Sequence, residues 1–225
     1  MSENKDIIEE QKDSCESQQN KMPKKQRTVR RKKQNVRFIA VTGILGAIST
    51  VLMMLSFSVP FVPSFLKLDF SELPALIASF SMGPLAGVAV CFIKNLINVT
   101  MSTTGGVGEL SNFLLGVCLV LPAGLVYKFR KNRLVAFLSA LAGSLIMAFA
   151  SLPLNYFVTY PMYMKIMPIE AIIGMYEAIL PGVDGLLSCL LIFNVPFTFL
   201  KGLLVTVLTF AIYKHISPII KGVKK

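Results

Sequence analysis

The sequence predicts an all-α membrane protein: six transmembrane helices, both termini cytoplasmic, and external loops covering an outward-facing pocket. Three observations carry this prediction. The 225 residues are 54% hydrophobic and 16% charged, with mean hydropathy +0.64, a membrane composition. The net charge of +11 is not spread evenly. Eleven Lys and Arg precede the first apolar run, four sit at Lys128–Arg133, and four follow the last run, at Lys214, Lys221, Lys224 and Lys225. Six spans put all of these on one side, as the positive-inside pattern requires. Third, the polar residues of the spans gather at one depth. Lys94, Asn95, Asn98, Glu109, Asn112, Asn155 and Asn194 occupy the outer halves, Lys201 lies near mid-depth, and the inner halves are almost bare. Ionisable and amide groups in hydrocarbon are costly, so such a cluster faces a shared cavity, water or a ligand.

The elements follow in order. Residues 1–37 are polar and read as a disordered basic cytoplasmic tail; they lack the apolar core of a signal peptide. Their charge reads as a topology signal with affinity for anionic lipid, not as a nucleic-acid site. Residues 38–215 form the six-helix transmembrane domain, and 216–225 a basic cytoplasmic C-terminal tail. The apolar runs are Phe38–Phe57, Ser71–Met82, Pro84–Met101, Leu110–Tyr127, Leu134–Phe157 and Leu186–Tyr213. The second is short for a span. External loops are expected at 58–69, at the Gly-rich link 102–108, and at 159–184, where Ile169–Leu180 has the pattern of an interfacial amphipathic helix.

Enzyme chemistry finds no footing. The spans hold no carboxylate pair and no His-Glu-x-x-His motif, and the lone His215 sits at the inner edge. Cys15, Cys91, Cys118 and Cys189 have no metal-type spacing. No catalytic residue, metal or cofactor is expected. Gly105-Gly106-Val-Gly108-Glu109 lacks the Lys of a nucleotide-binding loop, so energy for transport must come from an ion gradient or another subunit.

Several residues can build a binding site. Asn194, Thr198 and Lys201 share one helical face, with Pro196 among them freeing backbone groups. Lys201 is sixteenth in a run of 28, too deep to snorkel. It contacts a ligand, pairs with an internal acid such as Glu109, or does both. Glu109 either caps its helix or joins the pocket, and Asn112 follows it by three. Lys94 either snorkels or faces a ligand, beside Asn95. Asn155 adds an amide near Tyr156, Phe157 and Tyr160. Aromatics with amides suit a flat ring with hydrogen-bonding edges. On the first span, Gly43 and Ala47 form a small-xxx-small pair that packs internally or docks a partner helix.

Four segments together resemble a known family. They are Phe65-Leu-Lys67-Leu-Asp69-Phe-Ser71-Glu-Leu-Pro74, Gly83-Pro84-Leu-Ala-Gly87 with Lys94-Asn95, Gly105-Gly106-Val-Gly108-Glu109-Leu-Ser-Asn112-Phe, and Val195-Pro196-Phe197-Thr198-Phe-Leu-Lys201-Gly202. In this order they resemble the riboflavin-specific substrate-binding subunit of energy-coupling factor (ECF) transporters, from about Arg37 to the C-terminus. The resemblance implies a bacterial plasma-membrane subunit that binds riboflavin with high affinity. It also implies a transmembrane coupling protein and two ATPases as partners, and docking through small residues of the first helix, here Gly43 and Ala47. Asn155 and Lys201 match the amide and lysine expected around the flavin, while Thr198 stands where an asparagine is expected and Asn194 lies one turn away. The expected substrate-binding set is Lys67, Asp69, Asn95, Glu109, Asn112, Asn155, Asn194, Thr198 and Lys201. Riboflavin enters as transported ligand, not as cofactor. Two alternatives remain: the same fold serving another vitamin, or a self-sufficient secondary carrier. The carrier reading is weakened by the missing internal repeat and the polar-poor inner layer.

Overall fold

The computed structural model describes residues 24–221 apart from 64, 103 and 184, with side chains for 35–212. Residues 1–23, with Cys15, and 222–225 lie outside the described residues, as does the side chain of His215. The chain divides into two units, Met1–Ala40 and Val41–Lys225. Helix α1, Lys24–Met54, supplies residues to both. It therefore starts inside the segment expected to be a tail. Lys, Arg and Gln are good helix formers, and no Gly or Pro interrupts 24–41.

The second unit holds everything that follows. After α1, a short ribbon pairs β1 (Phe57–Ser58) antiparallel with β2 (Lys67–Leu68), Phe57 opposite Leu68. The all-α expectation did not include it. Then come α2 (Glu72–Met82), α3 (Pro84–Val99), α4 (Val107–Phe129), α5 (Arg133–Leu154), α6 (Tyr160–Tyr163), α7 (Ile169–Glu177), α8 (Gly185–Cys189) and α9 (Val195–Lys221). Among the described residues, four helical stretches are long and apolar enough to cross a membrane: Asn35–Met54, Val107–Phe129, Arg133–Tyr163 and Gly185–Ile212. Of the six expected spans, the second and third are the shorter apolar helices α2 and α3, of 11 and 16 residues.

Local chemistry sets the boundaries. Gly83, at φ 107°, closes α2 by donating its N–H to Ser79 O at 3.0 Å, and Pro84 opens α3 at a position where no N–H is needed. Two long helices contain a π-helical turn of five residues, Asn155–Thr159 joining α5 to α6 and Leu190–Asn194 joining α8 to α9. Each is closed by an N–H bonded five residues back, Tyr160 to Asn155 O and Val195 to Leu190 O, and a proline follows at Pro161 or Pro196. A proline ring clashes with the carbonyl four residues before it, and the wider turn accommodates that.

The core is made by α2, α3, α4, α5 and α9 around Leu76, Val90, Leu119, Met147 and Val205. Close crossings depend on glycine: a Cβ on Gly143 would stand 2.6 Å from the backbone oxygen of Leu119. A second cluster, Tyr160, Ile172, Tyr176, Val183, Cys189, Leu190 and Phe193, forms around α7, which buries Ile172 and Tyr176 on one face. The outer faces of the long helices are apolar and exposed, with Phe149 at 73%, as lipid contact requires.

Candidate functional site

A cavity of about 560 Å³ opens between the first loop, α4, α5 with its π turn, and α9. Eight of the nine expected site residues line it: Lys67, Asp69, Glu109, Asn112, Asn155, Asn194, Thr198 and Lys201. Asn95 is not among the lining residues. It is buried and turns back to donate Nδ2 to Cys91 O at 2.7 Å, with no partner for Oδ1 among the described residues. Asn98, one turn on, lines the cavity and donates to Lys94 O at 2.9 Å.

One wall is charged. Lys201 Nζ donates to Asp69 Oδ2 at 2.9 Å and Asn112 Oδ1 at 3.2 Å, and pairs with Glu72 Oε1 at 3.4 Å. That oxygen also accepts from Lys94 Nζ at 2.9 Å, in an ion pair with both side chains wholly buried. Lys94 also donates to Ser71 Oγ, and Ser71 donates from Oγ and N to Asp69 Oδ1. The contacts close on themselves: Lys201, Asp69, Ser71, Lys94, Glu72 and back to Lys201. Two acids and two ammonium groups cancel, which is what makes their burial tolerable. Burial pushes the Asp69 carboxyl up, but the ammonium groups of Lys201 and Lys94 and the Ser71 hydroxyl more than offset this and hold it below the usual range.

This arrangement corrects two expectations. Glu109 is not the acid that pairs with Lys201. It stays with its own loop, accepting from Ser102 Oγ at 2.6 Å and Thr104 Oγ1 at 3.4 Å beside the α4 N-terminus. Lys94 neither snorkels nor lines the cavity, because Glu72 satisfies it inside the protein. For Lys201, pairing and a place on the cavity wall both hold.

The opposite wall is aromatic and amide. Asn194 donates Nδ2 to Tyr160 OH at 3.2 Å and accepts from Tyr176 OH at 2.7 Å, and the two phenols also meet. Burial pushes the Tyr176 phenol well above its ordinary value, helped by Tyr160, so it remains a donor to the amide. Phe65 sits edge-on to Tyr160 and Tyr176, at 6.5 and 5.8 Å between ring centroids. Asn155 accepts from Ser111 Oγ at 3.3 Å, and its Nδ2 has no protein partner among the described residues. Met53, Met54, Met101, Met147, Met167 and Met175 supply soft apolar surface between these walls.

Sequence reasoning missed Glu72, Ser71 and Tyr176. The available signal was arithmetic: two lysines deep in apolar spans need two acids, and Glu72 opens the span beside Asp69. On the first helix, Gly43 and Ala47 are exposed, with nothing within 4 Å of a Cβ built on Gly43. Gly46 is the internal one, its Cβ position 2.9 Å from Ile93 Cγ2.

Comparison with known proteins agrees with the geometry. The family model "ECF transporter, substrate-specific component" matches residues 37–213. The riboflavin transporter RibU of Staphylococcus aureus is 32% identical over 179 residues, covering 80% of this chain and 89% of its own. The riboflavin transporter FmnP of Bacillus subtilis is 31% identical over 188 residues, covering 81% and 93%. A solved structure of the S component of a bacterial ECF transporter superposes with TM-score 0.66 at 31% identity, covering 84% of this chain and 99% of that one. A multi-pass membrane protein with a charge-balanced cavity among its helices, matched by that model along most of its length, belongs to the family of substrate-specific components of ECF transporters, which are transport subunits and not enzymes.

Proposed function

We propose that this protein is a high-affinity riboflavin-binding subunit of an ECF-type uptake transporter. In this reading it lies in the bacterial plasma membrane with six spans, both termini inside and the cavity facing out. A transmembrane coupling protein and two ATPases energise delivery. The observation that carries the ligand assignment is the cavity's charge balance. Lys201 and Lys94 are cancelled by Asp69 and Glu72, and no arginine lines the wall among the described residues. A carboxylate or phosphate ligand favours clustered guanidinium groups. A neutral tricyclic ring with imide and polyol hydrogen bonds instead fits tyrosine, phenylalanine, methionine and free amide positions, in a volume within the usual range for small-molecule sites. The names of the relatives point to the same ligand. The basic Lys128–Arg133 link and the basic N-terminal segment support the orientation.

Equilibrium titration of purified protein with riboflavin, FMN and thiamine, followed by flavin fluorescence, tests the reading. Riboflavin is expected to quench on binding at nanomolar concentration, which needs about 12 kcal/mol. No quenching, or equal affinity for thiamine, removes it. Asn155→Ala is expected to weaken riboflavin binding by about 1–3 kcal/mol, the cost of an unsatisfied buried partner; an unchanged titration would place the ring elsewhere. Gly43→Leu fills an exposed gap without touching the cavity. It should leave binding intact and abolish uptake by cells carrying the whole transporter, and normal uptake would exclude this face as the docking surface.

A further inference from the structure

We propose that Glu72 and Lys94, neither of which lines the cavity, are positioning residues that fix the Lys201 ammonium for ligand binding. This rests on the riboflavin reading above. Lysine has a flexible four-carbon stem and three freely rotating donors. A lysine ordered only when ligand arrives loses that freedom on binding, and affinity falls accordingly. Here the three donors of Lys201 have three acceptors, Asp69 Oδ2, Asn112 Oδ1 and Glu72 Oε1, at 2.9, 3.2 and 3.4 Å. Glu72 Oε1 is in turn held by Lys94 at 2.9 Å. Lys94 is wholly buried and reaches across to Ser71, whose carbonyl oxygen accepts from Ser49 Oγ on α1. The carboxylate oxygen between two ammonium groups therefore aims the cavity lysine from the side away from the ligand. Asn112 makes the longer of the two lysine hydrogen bonds and itself lines the cavity. It is the acceptor that a flavin carbonyl replaces, while Glu72 and Asp69 keep the ammonium in place.

The test separates positioning from simple structural need. Glu72→Gln with Lys94→Met removes one charge of each sign, so the remaining Asp69 and Lys201 still balance. The double variant is expected to melt within a few degrees of the parent while binding riboflavin about tenfold more weakly, equivalent to about 1.4 kcal/mol. The same pair of changes introduced into Lys201→Met should cause no further loss, since Glu72 acts through Lys201. Parental affinity in the double variant overturns the inference, as does an equal loss in both backgrounds. Should the double variant fail to fold, Glu72→Asp keeps the charge and shortens the arm by one methylene. Weaker binding at parental stability is then expected, and unchanged binding overturns the inference. Parent protein that does not bind riboflavin removes the ligand reading itself, a result distinct from a parent that binds and variants that do not differ from it.

Discussion

Lys94→Met is expected to destabilise the protein by about 3–5 kcal/mol, the usual result of removing one partner from a buried ion pair. Lys94 and Glu72 are both wholly buried, 2.9 Å apart, and Lys94 also holds Ser71. Without the ammonium, Glu72 keeps only two 3.4 Å contacts, Oε1 with Lys201 and Oε2 with Ser71 Oγ, and the buried cluster carries an uncancelled negative charge. The loss is much larger than for an exposed pair, which contributes about 0–1 kcal/mol. Thermal unfolding in detergent checks this, together with the fraction of expressed protein that is extracted in folded form. A melting point within a degree or two of the parent would mean that the charge is solvated in a way the packing does not show.

The second large effect concerns binding. Lys201→Met should weaken riboflavin affinity by about 2–5 kcal/mol, at least about 30-fold, because it deletes a donor on the cavity wall and strips Asp69 of its counter-charge. Much of this is the penalty of an unpaired carboxylate facing the ligand. Lys201→Arg is not expected to rescue it, since a planar guanidinium cannot occupy a point bounded by three acceptors. Titration of both variants beside the parent decides the matter: affinity within threefold of the parent in either one sinks the role assigned to Lys201.

Much of this was legible in the sequence, for specific reasons. Apolar runs and the distribution of Lys and Arg mark spans because hydrocarbon penalises each charge individually, and the penalty is written residue by residue. The spacing of Asn194, Thr198 and Lys201 placed them on one face because the helix repeat is fixed. The partner of Lys201 was not legible. Asp69 and Glu72 are 132 and 129 positions away in sequence, and which acid meets which lysine depends on how four helices pack. Glu109 had the right charge and depth but is satisfied by Ser102 and Thr104 of the loop before its helix. Asn95 and Asn98 are three positions apart and near one face, yet only Asn98 lines the cavity: Asn95 sits about 4.5 Å further down α3 from the loop that follows it and turns back to Cys91 O. The ribbon at Phe57–Leu68 left no pattern, being two residues on each strand.

The two widened turns have a consequence for how such a wall can change over time. Each contains one residue more than regular α-winding needs, and that surplus sits at the edge of the amides Asn155 and Asn194. Deleting a single residue there would close the turn to regular α-winding and leave the helix beyond it in phase, whereas a deletion elsewhere in the helix would swing everything beyond it by about 100° around the axis. Only the residues of the turn would then be re-aimed, Asn155 or Asn194 among them, while Thr198 and Lys201 keep their face. One residue can thus be lost at either point with the rest of its helix still in phase, so the stretch of wall beside these amides is where chain length can vary at least cost to the packing.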